Sequence, residues 1–235
     1  MNNSEFLETI KESFLVYLKT GARSNEKLKV LHGAISTDIN HRLGNRKYTV
    51  ASLGYGMGKE KTIDGRYIDK AVDITISEGG KAVAGIAVKF VMSNYSQNSN
   101  NYFENMLGET ANIRSAQIPY FQIFLIPDKL PYYDKKGNIS KWETITRHNL
   151  EKYIRLSNDN TDAFMHTPNK TLVYIVHLHS EHTPELTTAD EYKDFYLNNS
   201  FTMRNSSLNF SFGKTIVYND YDTFLEKVVY AIKSV

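Results

Sequence analysis

Apolar side chains at the start of the chain recur with the spacing of an amphipathic helix. With Ser4 as the capping residue, this pattern predicts a first helix that ends before Gly21. A second apolar stripe predicts a helix over residues 25–43, ended by Gly44. Residues 48–53 have the composition of a short strand, and a glycine-rich loop follows them.

The central part of the chain has the pattern of a β-hairpin followed by a helix and a buried strand. Residues 70–76 and 82–91 have strand composition, and glycines within residues 78–81 mark the turn between them. A helix is predicted from about residue 102 to 115, with apolar residues on one face. Residues 120–126 form an apolar run that stops at Pro127, which is typical of a central strand buried on both faces.

The C-terminal part alternates between helical and strand patterns. It predicts helices over residues 142–156, 189–197 and 221–232, and strands over 171–179 and 215–218. No internal repeat or Pro/Ser-rich linker divides the chain. We therefore expect one α/β domain with a central mixed β-sheet flanked by helices. Its parts would be N-terminal helices in residues 1–47, a core in 48–127 and a C-terminal α/β part in 128–235.

Composition removes several classes of function. The chain contains no cysteine, which excludes cysteine-ligated zinc, iron–sulfur clusters, thiol nucleophiles and a disulfide framework. No apolar run approaches the roughly 18–20 residues that cross a bilayer. The first residues lack the basic and apolar regions of a signal peptide, so we expect a cytoplasmic protein with no membrane partner. A net charge of +2 is too small to indicate nucleic-acid binding by itself.

Asp73 and Lys89 stand on the two strands of the predicted hairpin. Antiparallel strands can project two such side chains from neighbouring points at one edge of a sheet. A lysine within the apolar residues 86–91 is costly unless it has a partner. Metal-dependent cleavage of a phosphodiester needs hard oxygen ligands and a nearby cation, which these residues would supply. An ordinary ion pair at the sheet edge is the alternative.

Two short segments carry a resemblance to a known family. Val72-Asp73-Ile74, the hairpin, Ala87-Val88-Lys89 and the helix and apolar strand after them resemble the PD-(D/E)xK nuclease superfamily, and within it type II restriction endonucleases. The resemblance covers residues 68–127, and its motif is short. It implies a restriction-endonuclease-like core, hydrolytic activity and dependence on Mg²⁺.

The chain departs from that pattern at Ala87, where the family carries an acidic residue. Some restriction enzymes of the superfamily take this carboxylate from the following helix, which here offers Glu104 and Glu109. On a helical wheel the two lie roughly 140° apart, so one metal ion is expected to use only one of them. We favour Glu104, which shares its side of the helix with small residues. With Asn101 as the N-cap, Glu104 would instead complete a capping box.

A polar run and several basic residues are candidates for DNA contacts. Asparagine and glutamine can read adenine, and serine and backbone amides contact phosphates. The candidates in the polar run are Ser93, Asn94, Tyr95, Gln97 and Asn98, and those near the glycine-rich loop are Lys59, Lys61 and Arg66. A polar loop that satisfies its own turns and a flexible basic loop remain the alternatives.

Three further groups of polar residues have less specific patterns. His32 lies on the apolar stripe of the second predicted helix, where a hydrogen-bonded core histidine is expected. Asp38 of the same helix is expected at the surface. His177, His179 and His182 form a candidate zinc site, although no second cluster of ligands accompanies them.

The sequence therefore predicts a Mg²⁺-dependent endonuclease that cuts double-stranded DNA at a short site. Asp73 and Glu104, or Glu109 in its place, would hold the metal, and Lys89 would orient the water and stabilise charge. The symmetry of duplex recognition sites favours a homodimer. A nuclease fold that binds DNA without cutting it, and a zinc-dependent hydrolase, are the alternatives.

Overall fold

The computed structural model describes residues 1–44 and 47–234. Its helices within these ranges are α1 (Asn3–Thr20), α2 (Glu26–Leu43), α3 (Tyr95–Arg114), α4 (Arg147–Leu156), α5 (Ala189–Asn198) and α6 (Tyr221–Lys233). Its strands are β1 (Tyr48–Ser52), β2 (Lys61–Asp64), β3 (Asp69–Val72), β4 (Ile74–Glu78), β5 (Lys81–Phe90), β6 (Tyr120–Pro127), β7 (Lys129–Tyr133), β8 (Ile139–Thr144), β9 (Lys170–His179), β10 (Thr202–Asn205) and β11 (Ile216–Tyr218).

A mixed sheet forms the centre of the molecule, as the sequence predicts. Its strand order is β1-β4-β5-β6-β9-β10, and β11 pairs with the start of β9. The contacts of β6 with β5 and β9 are parallel, whereas β1, β4 and β10 join antiparallel. The α/β class with a central mixed sheet flanked by helices is confirmed.

Helices cover both faces of this sheet. Apolar residues of α1, α2, α5 and α6 form one core with the sheet, and residues of α3 and α4 form a second core. The side chains of β6 point into both cores: Phe121 and Ile123 belong to the first core, and Phe124 and Ile126 belong to the second. All eight residues of β6 are buried, which confirms the prediction of a central strand.

The predicted strand over residues 70–76 is interrupted at Asp73. Residues before the break form β3, which pairs with β2, and residues after it form β4, which pairs with β1 and β5. The pairing of β4 with β5 ends at Ile74 and Ile86. Beyond that point β5 continues beside β6. One edge of β5 is therefore uncovered by β4 from Ala87 to Phe90.

Helix α3 begins at Tyr95, about two turns before the position that the sequence predicts. The carboxylate of Glu143 accepts hydrogen bonds from the backbone N–H groups of Tyr95 at 2.7 Å and of Ser96 at 3.1 Å. It thereby satisfies N–H groups that the first turn leaves without helical partners. The predicted helix start near residue 102 is therefore too late, a polar loop does not describe residues 95–101, and Asn101 is not the N-cap.

The helix predicted over residues 142–156 begins later. Trp142 pairs with Pro131 in the β7–β8 hairpin, so its main chain is extended. Helix α4 starts after Thr146, whose side chain and that of Asn149 form a capping box.

Within the described ranges, no helix is both long and apolar enough to cross a membrane.

Asp38 is buried, against the expectation that it lies at the surface. It is 6% exposed and accepts hydrogen bonds from Arg42 Nε at 3.1 Å and from the Tyr221 hydroxyl at 3.1 Å. A buried carboxylate is tolerated when it has such partners. Asp38 thus joins α2 to α6 and is separate from the site described below.

Candidate functional site

A cavity of about 540 Å³ opens at the edge of β5 that β4 leaves uncovered. Charged and polar side chains from β3, the β3–β4 break, β5, β6 and α3 line it, among them Lys70, Asp73, Lys89, Tyr102, Glu109 and Gln122. An open cavity with converging titratable groups is the kind of place where chemistry is carried out.

Asp73 lies at the break between β3 and β4. Its Oδ2 accepts the backbone N–H of Val88 at 2.7 Å, so a side chain occupies the place of a strand partner. Burial raises the pKa of Asp73 to about 6, and the charge of Glu109 adds to this rise. The Val88 hydrogen bond and the charges of Lys70 and Lys89 act in the opposite direction. A cation bound beside Asp73 would favour its charged form.

Lys89 projects from the next strand into the same cavity. Its Nζ lies 4.1 Å from the centre of the Tyr102 ring, a cation–π contact with α3. Burial lowers the pKa of Lys89, while the charge of Asp73 acts to raise it. Within the described residues, Asp73 and Lys89 form no direct ion pair. The alternative of an ordinary ion pair at the sheet edge therefore finds no contact in the structure.

The two candidate glutamates of α3 lie in different surroundings. Glu109 lines the cavity, accepts a hydrogen bond from the Tyr120 hydroxyl and pairs with Lys70 Nζ at 2.9 Å. This contact with Glu109 raises the pKa of Lys70. Glu104 is exposed, and its charge acts on Lys152 of α4. The structure brings Glu109 rather than Glu104 to the cavity of Asp73.

Gln122 is a cavity residue that sequence reasoning missed. It stands beside Ala87 in the parallel register of β5 and β6, is 6% exposed, and lines the cavity. Its amide thus lies next to Ala87, on the same face of the sheet. The available signal was one amide within an otherwise apolar strand.

A second group of ligand-type side chains lies around Asp73. One ligand atom each of His32, Glu60 and Asp73 lies within 4.8 Å of the others. This is the one such group of three among histidine and acidic residues in the ranges that the structure describes. Burial lowers the pKa of His32 to about 4, so the ring is neutral at pH 7. Burial and the charge of Asp73 raise the pKa of Glu60.

His32 is fully buried, and neither of its ring nitrogens has a hydrogen-bond partner. The expectation of a hydrogen-bonded core histidine is therefore wrong. A buried polar group without a partner costs about 1–3 kcal/mol. No pattern in the sequence indicated this group, because His32, Glu60 and Asp73 come from separate segments and no motif spacing connects them.

Close backbone packing positions His32. The chain after β1 crosses α2 so tightly that a Cβ atom on Gly33 would lie 2.9 Å from the carbonyl oxygen of Gly54. The buried hydroxyls of Ser36 and Ser52 hydrogen bond at 2.7 Å across the same contact. Small residues on both elements therefore place the loop that ends in Glu60 against the His32 turn of α2.

The candidate DNA contacts of the polar run are partly occupied within the protein. The Asn94 amide donates to the carbonyl of Tyr133 at 2.9 Å and accepts from its N–H at 3.1 Å. Tyr95 is 1% exposed, and Ser93 hydrogen bonds with Tyr17. Asn98 contacts Tyr102, and Gln97 is exposed at the start of α3.

The basic candidates also differ in whether their side chains are engaged within the protein or exposed. Lys61 Nζ donates to the Ser77 hydroxyl at 2.9 Å and to the Gly80 carbonyl at 2.7 Å, whereas Lys59 and Arg66 are exposed. Arg66 lies in the β2–β3 turn, where its backbone N–H donates to the Asn112 carbonyl at 2.9 Å. Of the predicted contacts, Lys59, Arg66 and Gln97 have their side chains directed to solvent.

The three histidines of the candidate zinc site are apart from this cavity. His177 Nδ1 lies 3.1 Å from the Asp128 carboxylate, which also accepts a hydrogen bond from Ser206. The rings of His177 and His179 are 6.1 Å apart. They do not belong to a three-residue ligand group within the described ranges.

Comparison with known proteins adds no relative to this picture, because no family model, curated protein or solved structure matches the chain.

Proposed function

We propose that this protein is a metal-dependent endonuclease that hydrolyses phosphodiester bonds of double-stranded DNA and has a restriction-endonuclease-like core. One observation carries the proposal. At the break where Asp73 leaves the sheet, the uncovered edge of β5 presents Lys89, and α3 brings Glu109 to the same cavity. An acid pair beside a lysine in an open cavity is the set of groups that phosphodiester hydrolysis needs.

Asp73 and Glu109 are the residues that would hold Mg²⁺. Carboxylate oxygens are the ligands that Mg²⁺ prefers, and the charge of Glu109 already raises the pKa of Asp73. A cation between them would relieve that repulsion, so the residues fit the ion. Bound Mg²⁺ supplies Lewis-acid polarisation of the phosphoryl oxygens and a more acidic water. Tyr120 and Lys70 hold the Glu109 carboxylate in place.

Lys89 would orient the attacking water and offset the charge that develops on the phosphate. Its contact with the Tyr102 ring positions the ammonium group and leaves its charge in place, whereas a carboxylate partner would neutralise that charge. Gln122 would donate its amide N–H to a phosphate oxygen or to the water in the same cavity. These roles use residues from β5, β6 and α3, which are anchored by the core.

The DNA would be bound outside the cavity by exposed basic and amide groups. Lys59 and Arg66 would contact phosphates, and Gln97 would face the groove. Duplex sites of a sequence-specific enzyme are commonly two-fold symmetric, so we propose a homodimer as the active form.

Cleavage assays test this function. Purified protein is incubated with Mg²⁺ and a panel of plasmid and phage DNA, beside Asp73→Asn as the matched variant. We expect discrete fragments with the wild type, and a loss of at least about 100-fold with Asp73→Asn, because one metal ligand is removed. Equal cleavage by both proteins, or no cleavage across the panel, would contradict the proposal.

A second candidate function is DNA binding without cleavage. Two observations favour it: Ala87 stands where the family has a carboxylate, and Glu109 is already engaged by Lys70 and Tyr120. Salt-dependent DNA binding together with the absence of metal-dependent cleavage would select this alternative.

A further inference from the structure

We infer that His32, Glu60 and Asp73 form a second cation site, which takes a divalent transition-metal ion of the Mn²⁺-to-Zn²⁺ series. Neither His32 nor Glu60 lines the cavity, although the charges of Lys70 and Glu109 act on Glu60. The site stands on its own geometry and shares only Asp73 with the proposed nuclease centre.

The histidine provides the first reason. Its ring is 0% exposed and both nitrogens are without a hydrogen-bond partner. A buried imidazole in a protein core normally has a partner for at least one nitrogen. Here the carboxylates of Glu60 and Asp73 both lie near the ring. A bound cation would provide the partner that the ring lacks.

The distances provide the second reason. One ligand atom from each residue lies within 4.8 Å of the other two. Metal–ligand bonds of about 2.1 Å place neighbouring ligand atoms about 3 to 4.2 Å apart. Glu60 is exposed, so its side chain has room to move, whereas the turn of α2 that carries His32 is held by the packing of Gly33 against Gly54.

The donor set indicates which ions bind. Imidazole nitrogen suits Zn²⁺, Ni²⁺, Co²⁺ and Mn²⁺, while Mg²⁺ and Ca²⁺ prefer oxygen alone. Two carboxylates and one neutral imidazole compensate the charge of a divalent ion. Three protein ligands leave coordination positions for water or for an oxygen of a phosphate, because metal sites of this kind are open.

Metal binding by the full chain without an affinity tag tests the inference. Metal-free protein is titrated with Co²⁺, Zn²⁺ and Mg²⁺ by calorimetry, and the Co²⁺ complex is followed by its visible absorption. We expect Co²⁺ and Zn²⁺ to bind at least about tenfold more tightly than Mg²⁺. We also expect His32→Leu and Glu60→Gln each to weaken Co²⁺ binding by at least about tenfold.

Matched controls separate this site from general metal binding. His41→Leu removes an exposed histidine of the same helix, and Glu104→Gln removes an exposed acid; both are expected to leave Co²⁺ binding within about twofold. Unchanged Co²⁺ binding in both His32→Leu and Glu60→Gln would overturn the inference. If His32→Leu does not fold, Glu60→Gln decides alone, because Glu60 is exposed.

The outcomes also distinguish this inference from the proposed function. Protein that binds Co²⁺ through His32 and Glu60 but cuts no DNA would contradict the nuclease and support this site. Protein that cuts DNA with Mg²⁺ but shows no Co²⁺ binding dependent on His32 or Glu60 would support the nuclease and overturn this site.

Discussion

The carboxylate of Asp73 and the backbone of Val88 are joined by a 2.7 Å hydrogen bond at the point where β4 stops pairing with β5. This one contact has two effects. It satisfies a main-chain N–H that the sheet leaves without a strand partner. It also fixes an acidic group in the cavity beside the strand that carries Lys89.

The first prediction concerns the stability of the metal-free protein as a function of pH. The pKa of Asp73 in the folded protein, about 6, lies above the ordinary aspartate value of 3.8, so the folded protein binds this proton more tightly than the unfolded chain does. The resulting stabilisation is full below about pH 4 and is lost as the pH rises through about 6. As the pH rises through this range, the free energy of unfolding of the wild type should fall by up to about 3 kcal/mol relative to that of Asp73→Asn. Urea unfolding in the presence of a chelator measures the free energy of unfolding of both proteins at each pH. Parallel curves of this free energy against pH would contradict the prediction.

The second prediction separates the two glutamates of α3. Glu109→Gln should lower the rate of DNA cleavage by at least about 100-fold, because Glu109 lines the cavity and would hold the metal. Glu104→Gln should leave the rate within about twofold, since Glu104 is exposed and lies near Lys152. Single-turnover cleavage rates decide the matter. The reverse order would restore Glu104 as the metal ligand.

The third prediction concerns the lysine. Lys89→Met should reduce the cleavage rate by about 100-fold or more through the loss of a positive charge at the phosphate. The affinity for DNA should change less than the cleavage rate in the same variant, because Lys89 lines the cavity beside Asp73. Cleavage and binding are measured on the same DNA. A fall in affinity with an unchanged rate would assign Lys89 to binding instead.

The fourth prediction is that His32 lowers the stability of the metal-free protein. His32→Leu keeps a side chain of similar volume and removes two buried nitrogens without partners. In the presence of a chelator this variant should be more stable than wild type by about 1 kcal/mol or more. Denaturant midpoints measured with and without Zn²⁺ check this, and Zn²⁺ should stabilise only the wild type. A variant that is less stable under chelation would contradict it.

The fifth prediction divides the candidate DNA contacts. Arg66→Ala should weaken DNA binding and lower the slope of log affinity against log salt by about one. Asn94→Ala should instead destabilise the fold by about 1–3 kcal/mol, because both groups of its amide bond to the Tyr133 backbone. Fluorescence anisotropy at several salt concentrations and urea unfolding separate the two effects. A binding defect in folded Asn94→Ala would show that its amide contacts DNA.

Local patterns allowed several elements to be predicted from the sequence. The apolar run of β6 indicates burial on both faces, and Gly44 indicates the end of α2, where it adopts a positive φ of 59°. Local patterns did not predict the residue at which α3 begins. Asparagine and serine are weak helix formers, so residues 95–101 resemble a loop until Glu143 caps their N–H groups from a distant hairpin.

The sequence by itself determined the α/β class and the β4–β5 hairpin, with Asp73 just before its first strand and Lys89 on its second, since both follow from neighbours along the chain. Only the tertiary structure decided that Glu109 faces the cavity, because the packing of α3 sets which side of the helix turns inward. It also brought His32 and Glu60 to Asp73. That group forms where α2, a loop and a strand break meet, and contacts so distant in sequence leave no periodic signal.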